Sequence, residues 1–526
     1  MEQLDQRCRR LIAAGQAPEA LGELVVGLAA GRGNVEAARL MARLLGRYRL
    51  EPSAHVIGGL RAASDFDELD LQPLVRSTVD CWLAEPAWQR FARAAPADLD
   101  RLVGEAVRSG GLAPFDDVLL HRLLARAICH DATLERILTA VRRALLLGRS
   151  GELANGWMEL ADAFARHGLN NEFAWFVAPD ENAAVEALAE RVMRAGRSDP
   201  AEAARLGMYR PWPPRTDRDG APPAPPPIEP ADATSDAVRA QYEENPYPRW
   251  LALNPPVPGE RRARLLAVCG ASDTARFHGP IDVLIAGCGT GRQAIIAALG
   301  YGPTARVTAI DVSRNSLAYA ARMAARYAVD SIRFMQADIL KLDGRYGDFD
   351  VIEAIGVLHH LADPIAGWQA LAQRLKPGGL MSVALYSERG RQDVVAARRE
   401  IAALGLSPTP DGIRELRKMV LDAPADARDW RATVRRFTDF FSMSGCRDLL
   451  FNVQEHRFTP REVGEAVRAV GLELRSVEVS PAAAAAYGAR FPDDPAMLDM
   501  ANWDRFEADR PTTFSGMIGV WCRKAG

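Results

Sequence analysis

The chain has little cysteine and no arrangement of it that makes a site. Seven cysteines occur in 526 residues: Cys8, Cys81, Cys129, Cys269, Cys288, Cys446 and Cys522. None forms a C-x-x-C pair and none stands in a His/Cys cluster, so neither a metal site nor a disulfide framework is expected. Scattered reduced thiols fit a cytoplasmic protein. Excess charge is also missing. The formal net charge is −3. Without a global basic field a large nucleic acid substrate is disfavoured, because phosphate binding needs a basic face; only local patches such as Arg261-Arg-Ala-Arg264 remain. No apolar run reaches the ~18 residues of a membrane span, so no membrane insertion is expected. The opening Met-Glu-Gln-Leu-Asp carries acids and leads into no long apolar core, which argues against a signal peptide.

What is present suffices for sizeable cores, since 48% of the residues are hydrophobic, and the length predicts two or three domains. The organising stretch is Ile281-Asp-Val-Leu-Ile-Ala-Gly-Cys-Gly-Thr-Gly-Arg-Gln293. An apolar run of strand length is followed by Gly287, Gly289 and Gly291, and then by an alanine-rich helical run from Ala294 to Leu299. Strand, glycine loop and helix make the first half of a βαβ unit. The glycines let the backbone turn sharply and a ligand approach closely, and the following helix N-terminus favours anionic groups. A dinucleotide fingerprint would carry its third glycine where Arg292 stands. A second strand, Val307–Ile310, ends in Asp311, an acid suited to a ribose diol. A third, Ile332–Gln336, runs into Ala337-Asp338-Ile339, where Asp338 can accept from an adenine amine. A fourth, Phe349–Ile355, precedes Gly356-Val-Leu-His-His-Leu-Ala-Asp-Pro364. Leu375-Lys-Pro-Gly-Gly379 then leads into a fifth, Leu380–Tyr386.

This ordered series, over residues 281–386, resembles the class I S-adenosylmethionine-dependent methyltransferases. The resemblance implies an α/β domain with a seven-stranded, Rossmann-like, doubly wound sheet. It implies S-adenosyl-L-methionine as cofactor and S-adenosyl-L-homocysteine as product. It also implies that Gly287, Gly289 and Gly291 line the methionine part, Asp311 the ribose hydroxyls and Asp338 the adenine, with Cys288, Val312 and Ile339 as further cofactor-binding residues.

Around this core the chain divides. Residues 1–205 read as helices throughout, with leucine and alanine at i, i+3, i+4 and i+7, as in Leu21, Leu24 and Leu28. Breaks fall at Gly31, Pro52, Pro96, Gly110-Gly111 and Gly148. Residues 9–48 look like tetratricopeptide packing, but no clean 34-residue period follows, so a regular repeat array is not supported. Leu134–Leu147 is amphipathic, and Asn170–Val177 reads as a turn beside a helical core. Such apolar faces serve packing, against the catalytic domain or against a second copy in a homodimer. Residues 206–232 read as a linker: nine of the twenty residues in 211–230 are proline, which favours an extended, semi-rigid form. The catalytic domain is therefore expected over 233–526.

Gln241–Trp250 crowds aromatic, acidic and basic groups into one irregular segment. It reads as a packed latch or as a cap over the cofactor's sulfonium, with Tyr242, Arg249 and Trp250 as its candidates. His359 and His360 follow the fourth strand, at the carboxyl end where ligands of open α/β sheets bind. They are expected to shape that loop, with a role as proton-abstracting base as the alternative. Residues 388–455 read as a mostly helical insertion over the same end, a natural acceptor lid. Glu455 and His456, at its return, are candidates for holding or deprotonating an acceptor amine; they compete with a reading as a salt-bridge and cap pair. The last two strands are expected at Leu472–Val479 and Thr513–Cys522.

A narrower resemblance joins Leu134–Leu147, Asn171-Glu-Phe173, Tyr242–Trp250, Ser387-Glu388, Arg447-Asp-Leu-Leu450, Gln454–Phe458 and Trp503–Glu507. The set is similar to bacterial methyltransferases with helical, often tetratricopeptide-type, N-terminal regions, a group that includes rickettsial protein-lysine methyltransferases acting on outer membrane protein B. It implies SN2 methyl transfer, with a protein lysine amine as the first acceptor to consider and a protein arginine or a small biosynthetic molecule as the alternatives. On that reading Tyr386, Glu455 and His456 line the acceptor channel with Tyr242 opposite. A helical scaffold that merely binds the cofactor is the remaining alternative.

Overall fold

The computed structural model describes residues 3–109, 112–149, 153, 155–196, 199–212, 228–270, 274–424 and 427–526. The Gly110-Gly111 break and residues 213–227 of the proline-rich linker lie outside the described residues. The chain packs as two compact units. One comprises Met1–Asp217, Arg249–Asn254 and Ile401–Leu449; the other comprises Arg218–Pro248, Pro255–Glu400 and Leu450–Gly526.

The first unit is helical, with no strand among its described residues. Its helices start where side chains satisfy their first amides. Asn34 accepts from Ala37 N (2.9 Å) before Val35–Leu45, and Asp131 accepts from Leu134 N (2.8 Å) before Ala132–Leu147. The predicted apolar stripe of Ala17–Ala29 is the buried one: Leu21, Leu24 and Leu28 are all inside. Against it lies Ala54–Ser64, whose Gly59 leaves no room for a Cβ beside the backbone at Val25.

Ile401–Leu449 belongs to this unit, whereas the sequence placed all of 388–455 with the catalytic domain. The physical reason is a buried polar seam. Arg417, on Pro410–Asp422, is fully buried; it donates to both oxygens of buried Glu135 (2.7 and 2.9 Å), to Ala174 O (2.5 Å) and to Phe440 O (2.7 Å). Beside it, Arg414 donates to Phe173 O (3.0 Å) and Met443 N to Asn171 O (3.1 Å), while Glu172 accepts from Ser444 N (2.7 Å). Glu172 and Phe173 hold φ at +61° and +55°, a left-handed conformation that costs ~1–3 kcal/mol each and that such surroundings must enforce. The segment that reads as a simple turn is therefore the docking edge for the insertion.

The second unit is built on one seven-stranded sheet of order β3-β2-β1-β4-β5-β7-β6. The strands are β1 (Ile281–Ala286), β2 (Ala305–Asp311), β3 (Ile332–Gln336), β4 (Phe349–Ile355), β5 (Leu375–Leu385), β6 (Leu472–Glu478) and β7 (Ile518–Lys524). β1 to β5 pair in parallel, and β7 is antiparallel to both neighbours. β1 and β4 are nearly continuous apolar runs, as strands covered on both faces must be. β7 begins five residues later than the sequence predicts, because Thr513 N and Oγ1 both donate to Arg510 O and close a turn there. The order reverses between β1 and β4, so the carboxyl ends of β1, β2 and β4 open on the crevice where a ligand binds.

Candidate active site

The loop after β1 folds as its glycines require. Gly287, Gly289 and Gly291 hold φ at +67°, +51° and +85°. Gly291 opens the helix Arg292–Tyr301, and a Cβ there would meet the Ala320 methyl at 2.5 Å. A Cβ on Gly289 would fall on the carbonyl oxygen of Tyr247. The helix behind the loop is anchored from beneath. Buried Glu353 on β4 accepts from Gln293 Nε2 (2.7 Å) and Tyr301 Oη (2.6 Å) and pairs with Arg261. Burial alone would push the Glu353 carboxyl up; Arg261 and these donors bring it below its ordinary value.

Asp311 ends β2 pointing at the loop. Its Oδ2 accepts from Gly289 N (2.8 Å) and its Oδ1 from Ser313 N (2.9 Å). Burial pushes its carboxyl up to about 6, with Glu243 adding to the rise and the two amides opposing it. A carboxylate oxygen has a second lone pair, so both oxygens can also accept from a diol. The sign of the pH effect follows. The folded-state value lies above the unfolded one, so this group stabilises the fold below the unfolded value, and that contribution is lost as pH rises through about 6. Diol binding runs the other way, since it needs the ionised form. Affinity for a ribose ligand is expected to fall about tenfold per pH unit below pH 6, and Asp311→Asn should flatten that slope; isothermal titration between pH 5 and 8 measures both.

Asp338 caps the short turn after β3, accepting from Leu340 N (3.0 Å) and from Ala231 N (2.8 Å). Ile339 beside it is buried. Cys288 is buried, its N donating to Ile310 O (2.9 Å), and burial pushes its thiol well up. Val312 O accepts from Gln336 Nε2 (2.8 Å).

Residues 229–248 run as a strap along these strand ends. Glu229 O accepts from Lys341 Nζ (3.1 Å) beyond β3. The helix Ala233–Glu244 then reaches β2: Tyr242 O accepts from Ser313 Oγ (3.0 Å), and Glu243 caps the helix Arg314–Arg326 by accepting from Arg314 N (2.8 Å) and Asn315 N (2.9 Å). At β1, Tyr247 O accepts from Thr290 N (3.2 Å) and Pro248 O from Thr290 Oγ1 (2.5 Å).

The ends of β4 and β5 carry a second cluster. His359 and Tyr386 stack at 3.9 Å, and the Arg391 guanidinium lies 3.7 Å from the Tyr386 ring centre. Arg391 pairs with Glu455 (2.6 Å), which also faces Arg398 (3.7 Å) and Arg457 (3.9 Å). His360 Nδ1 lies 2.7 Å from Gln454 O, and the His456 and Gln454 side chains meet at 2.8 Å. His456 N donates to His359 O (2.8 Å). Tyr242 stands edge-on to His360 at 6.4 Å, and its hydroxyl accepts from Asn452 Nδ2 (3.2 Å). Burial pushes His359 well below its ordinary value, and both its ring nitrogens are buried without a hydrogen-bond partner, so it is neutral.

Tyr242, Tyr386, Glu455 and His456 thus fall in one cluster, with the Glu455 carboxylate held among three guanidinium groups. Arg249 and Trp250 fall in the helical unit, where Arg249 Nη2 donates to Leu169 O (2.9 Å) and Trp250 is buried. Arg391, Glu243 and Glu353 were not singled out in the sequence. Their partners lie 64, 71 and 92 positions away, so no local pattern marks them. Among the described residues no group of His, Cys, Asp or Glu could hold a metal ion. No helix among them is long and apolar enough to cross a membrane.

A doubly wound sheet with a glycine loop after β1 and acids closing β2 and β3 is the class of domain that binds a nucleoside-bearing cofactor at its strand ends. Residues 283–379 match the family model described as "Methyltransferase domain", and this part of the chain is a class I methyltransferase domain whose cofactor is S-adenosylmethionine. The residues present fit that cofactor: a loop with glycine at every other position, a buried carboxylate with lone pairs for a ribose, and an acid after β3. The chain is 35% identical to an uncharacterized protein of Synechococcus sp. over 203 residues, 38% of this chain and 48% of that protein. It is 36% identical to a ubiquinone biosynthesis O-methyltransferase of Caulobacter vibrioides over 165 residues, 30% of this chain and 63% of that enzyme. It therefore spans about half to under two thirds of these relatives' lengths. PKMT2 from Rickettsia typhi, solved in complex with AdoHcy, is similar at 15% identity and a TM-score of 0.37, over 46% of this chain and 49% of that one.

Proposed function

We propose that the chain methylates a protein lysine side chain, using S-adenosylmethionine as donor. The observation that carries this reading is the cluster at the ends of β4 and β5. Partly exposed Tyr386 stands in front of buried Arg391, partly exposed Tyr242 and His456 belong to the same cluster, and the buried carboxylate of Glu455 is taken up by arginines. A lysine amine, with an ordinary value near ~10.4, must lose its proton before it attacks. Burial and neighbouring positive charge both lower that value. Such a cluster therefore favours the neutral amine.

When bound, S-adenosylmethionine supplies a methyl group on a positively charged sulfur. The residues of the chain then do the aligning. Asp311 orients the cofactor through its ribose while its own contacts to Gly289 N and Ser313 N hold the loop closed. Asp338 and Ile339 fix the adenine end, and the strap covers the strand ends. Alignment of the amine on the methyl carbon, with the reacting atoms near ~3 Å, is the main catalytic contribution. The all-helical unit supports a macromolecular acceptor, since its described residues lie outside the glycine loop and both cofactor acids.

A second reading, a small-molecule acceptor, is favoured by the 36% identity to a ubiquinone biosynthesis O-methyltransferase. Incubation with tritiated S-adenosylmethionine and a bacterial lysate, separated by size, tests both. Label in protein, released as methyllysine on hydrolysis, is the expected result. Methylarginine would move the assignment to arginine. Label confined to small molecules would overturn the protein reading.

A further inference from the structure

Tyr386 is the middle layer of a three-layer stack. His359 lies flat on one face at 3.9 Å with 27° between the planes, and the Arg391 guanidinium covers the other at 3.7 Å. Tyr386 itself is partly exposed, whereas His359 is fully buried and the side chains of Arg391 and Glu455 are 3% and 1% exposed. A partly exposed phenol is thus backed by a buried cation, and that cation is held in turn by a buried carboxylate. The backbone fixes the arrangement. Phe458 N donates to Tyr386 O (2.8 Å) and Glu388 N to Phe458 O (2.9 Å), so the returning segment that carries Glu455 is pinned to the end of β5. Gly390 N donates to Ser387 Oγ (2.9 Å), turning the chain so that Arg391 comes back over the ring.

We propose that Arg391 is a positioning residue of the acceptor site, and that the Arg391–Glu455 pair sets the ionisation of Tyr386, whose phenolate oxygen takes the proton of an acceptor ammonium. This rests on the reading that the ends of β4 and β5 hold the acceptor. A cation over a phenol ring favours the phenolate; a carboxylate behind that cation opposes it. Also against Tyr386 are His359 and His360 from the turn after β4; His456 of the returning segment meets His359 through its backbone, and Tyr242 is reached through His360. His359 is neutral and adds no charge. Around Glu455 stand Arg398 and Arg457, the latter shared with Glu388, so positive charge exceeds negative behind the ring. Tyrosine and lysine have ordinary values near ~10 and ~10.4, so the proton moves between matched groups. The ammonium N–H bond breaks, its proton bonds to the phenolate oxygen, and the freed lone pair of nitrogen takes the methyl carbon. The pair that had joined that carbon to sulfur stays on sulfur. The phenol then returns its proton to solvent.

The test places 3-fluorotyrosine at position 386 of the full chain and follows its 19F resonance against pH with S-adenosylhomocysteine bound. Arg391→Met is expected to raise the midpoint by about one pH unit, and Glu455→Gln to lower it by a similar amount. Arg391→Lys, which keeps the charge, should stay within about half the Arg391→Met shift. A merely structural role would not move the midpoint in opposite directions in the Arg391→Met and Glu455→Gln variants. Equal midpoints in all the variants overturn the proposal. If Arg391→Met does not fold, as judged by loss of S-adenosylhomocysteine binding, Glu455→Gln and Arg391→Lys decide. Opposite shifts without methylation of any lysate protein would leave the coupling standing and remove the lysine reading.

Discussion

Asp311→Ala is expected to weaken binding of S-adenosylhomocysteine by at least about 100-fold. Two losses add. The ribose hydroxyls lose a charged acceptor, and hydrogen bonds to charged groups contribute about 1.5–3 kcal/mol each. At ~1.4 kcal/mol per factor of ten, two of them give about a hundredfold or more. The glycine loop also loses the contact that holds it, because Gly289 N and Ser313 N donate to the same carboxylate (2.8 and 2.9 Å). Asp282→Ala is the control. That residue sits at the amino end of β1, away from the glycine loop, and pairs with exposed Arg306 (2.7 Å) and partly exposed Lys376 (2.8 Å). It should leave affinity within about twofold, as surface pairs contribute little. Isothermal titration reads both, and an Asp311→Ala affinity within threefold of the parent would contradict the site.

Glu135→Ala is expected to destabilise the helical unit by about 3–5 kcal/mol. Arg417 and Glu135 are fully buried, and removing the carboxylate strands a guanidinium in the interior. For a unit of this size that corresponds to a drop of roughly 10 °C in Tm. Replacing both partners, as in Glu135→Leu with Arg417→Met, should recover only part of the loss. Arg417 also donates to Phe440 O and Ala174 O, and those carbonyls would be left without it. Scanning calorimetry on the full chain separates the cases. A Glu135→Ala variant melting with the parent would show that the seam contributes nothing.

These expectations differ in how far they were readable from the chain itself. Gly287, Gly289 and Gly291 stand at alternate positions, and Asp311 and Asp338 each follow a run of strand length. Local spacing therefore exposed the glycine loop, the acids that follow β2 and β3, and the parallel half of the sheet. The antiparallel β7 was legible as a strand but not in its start, because the turn at Arg510–Thr513 is closed by a backbone contact that composition does not reveal. The allegiance of Ile401–Leu449 was hidden for a stronger reason. Arg417 meets Glu135 across 282 positions, and helical periodicity says which face is apolar but not which partner covers it. The same holds for Arg391. It reads as one more surface charge in a charged segment, and only the pinning of Phe458 to Tyr386 brings it over the ring.

A crystal structure of the chain with S-adenosylhomocysteine tests the account most directly. The expected result is both ribose hydroxyls on the Asp311 carboxylate, the adenine amine at Asp338, and the sulfur within ~8 Å of the Tyr386 hydroxyl, leaving room for a methyl and an attacking nitrogen near ~3 Å. A ligand bound elsewhere, or a sulfur facing away from Tyr386 and His360, would contradict it.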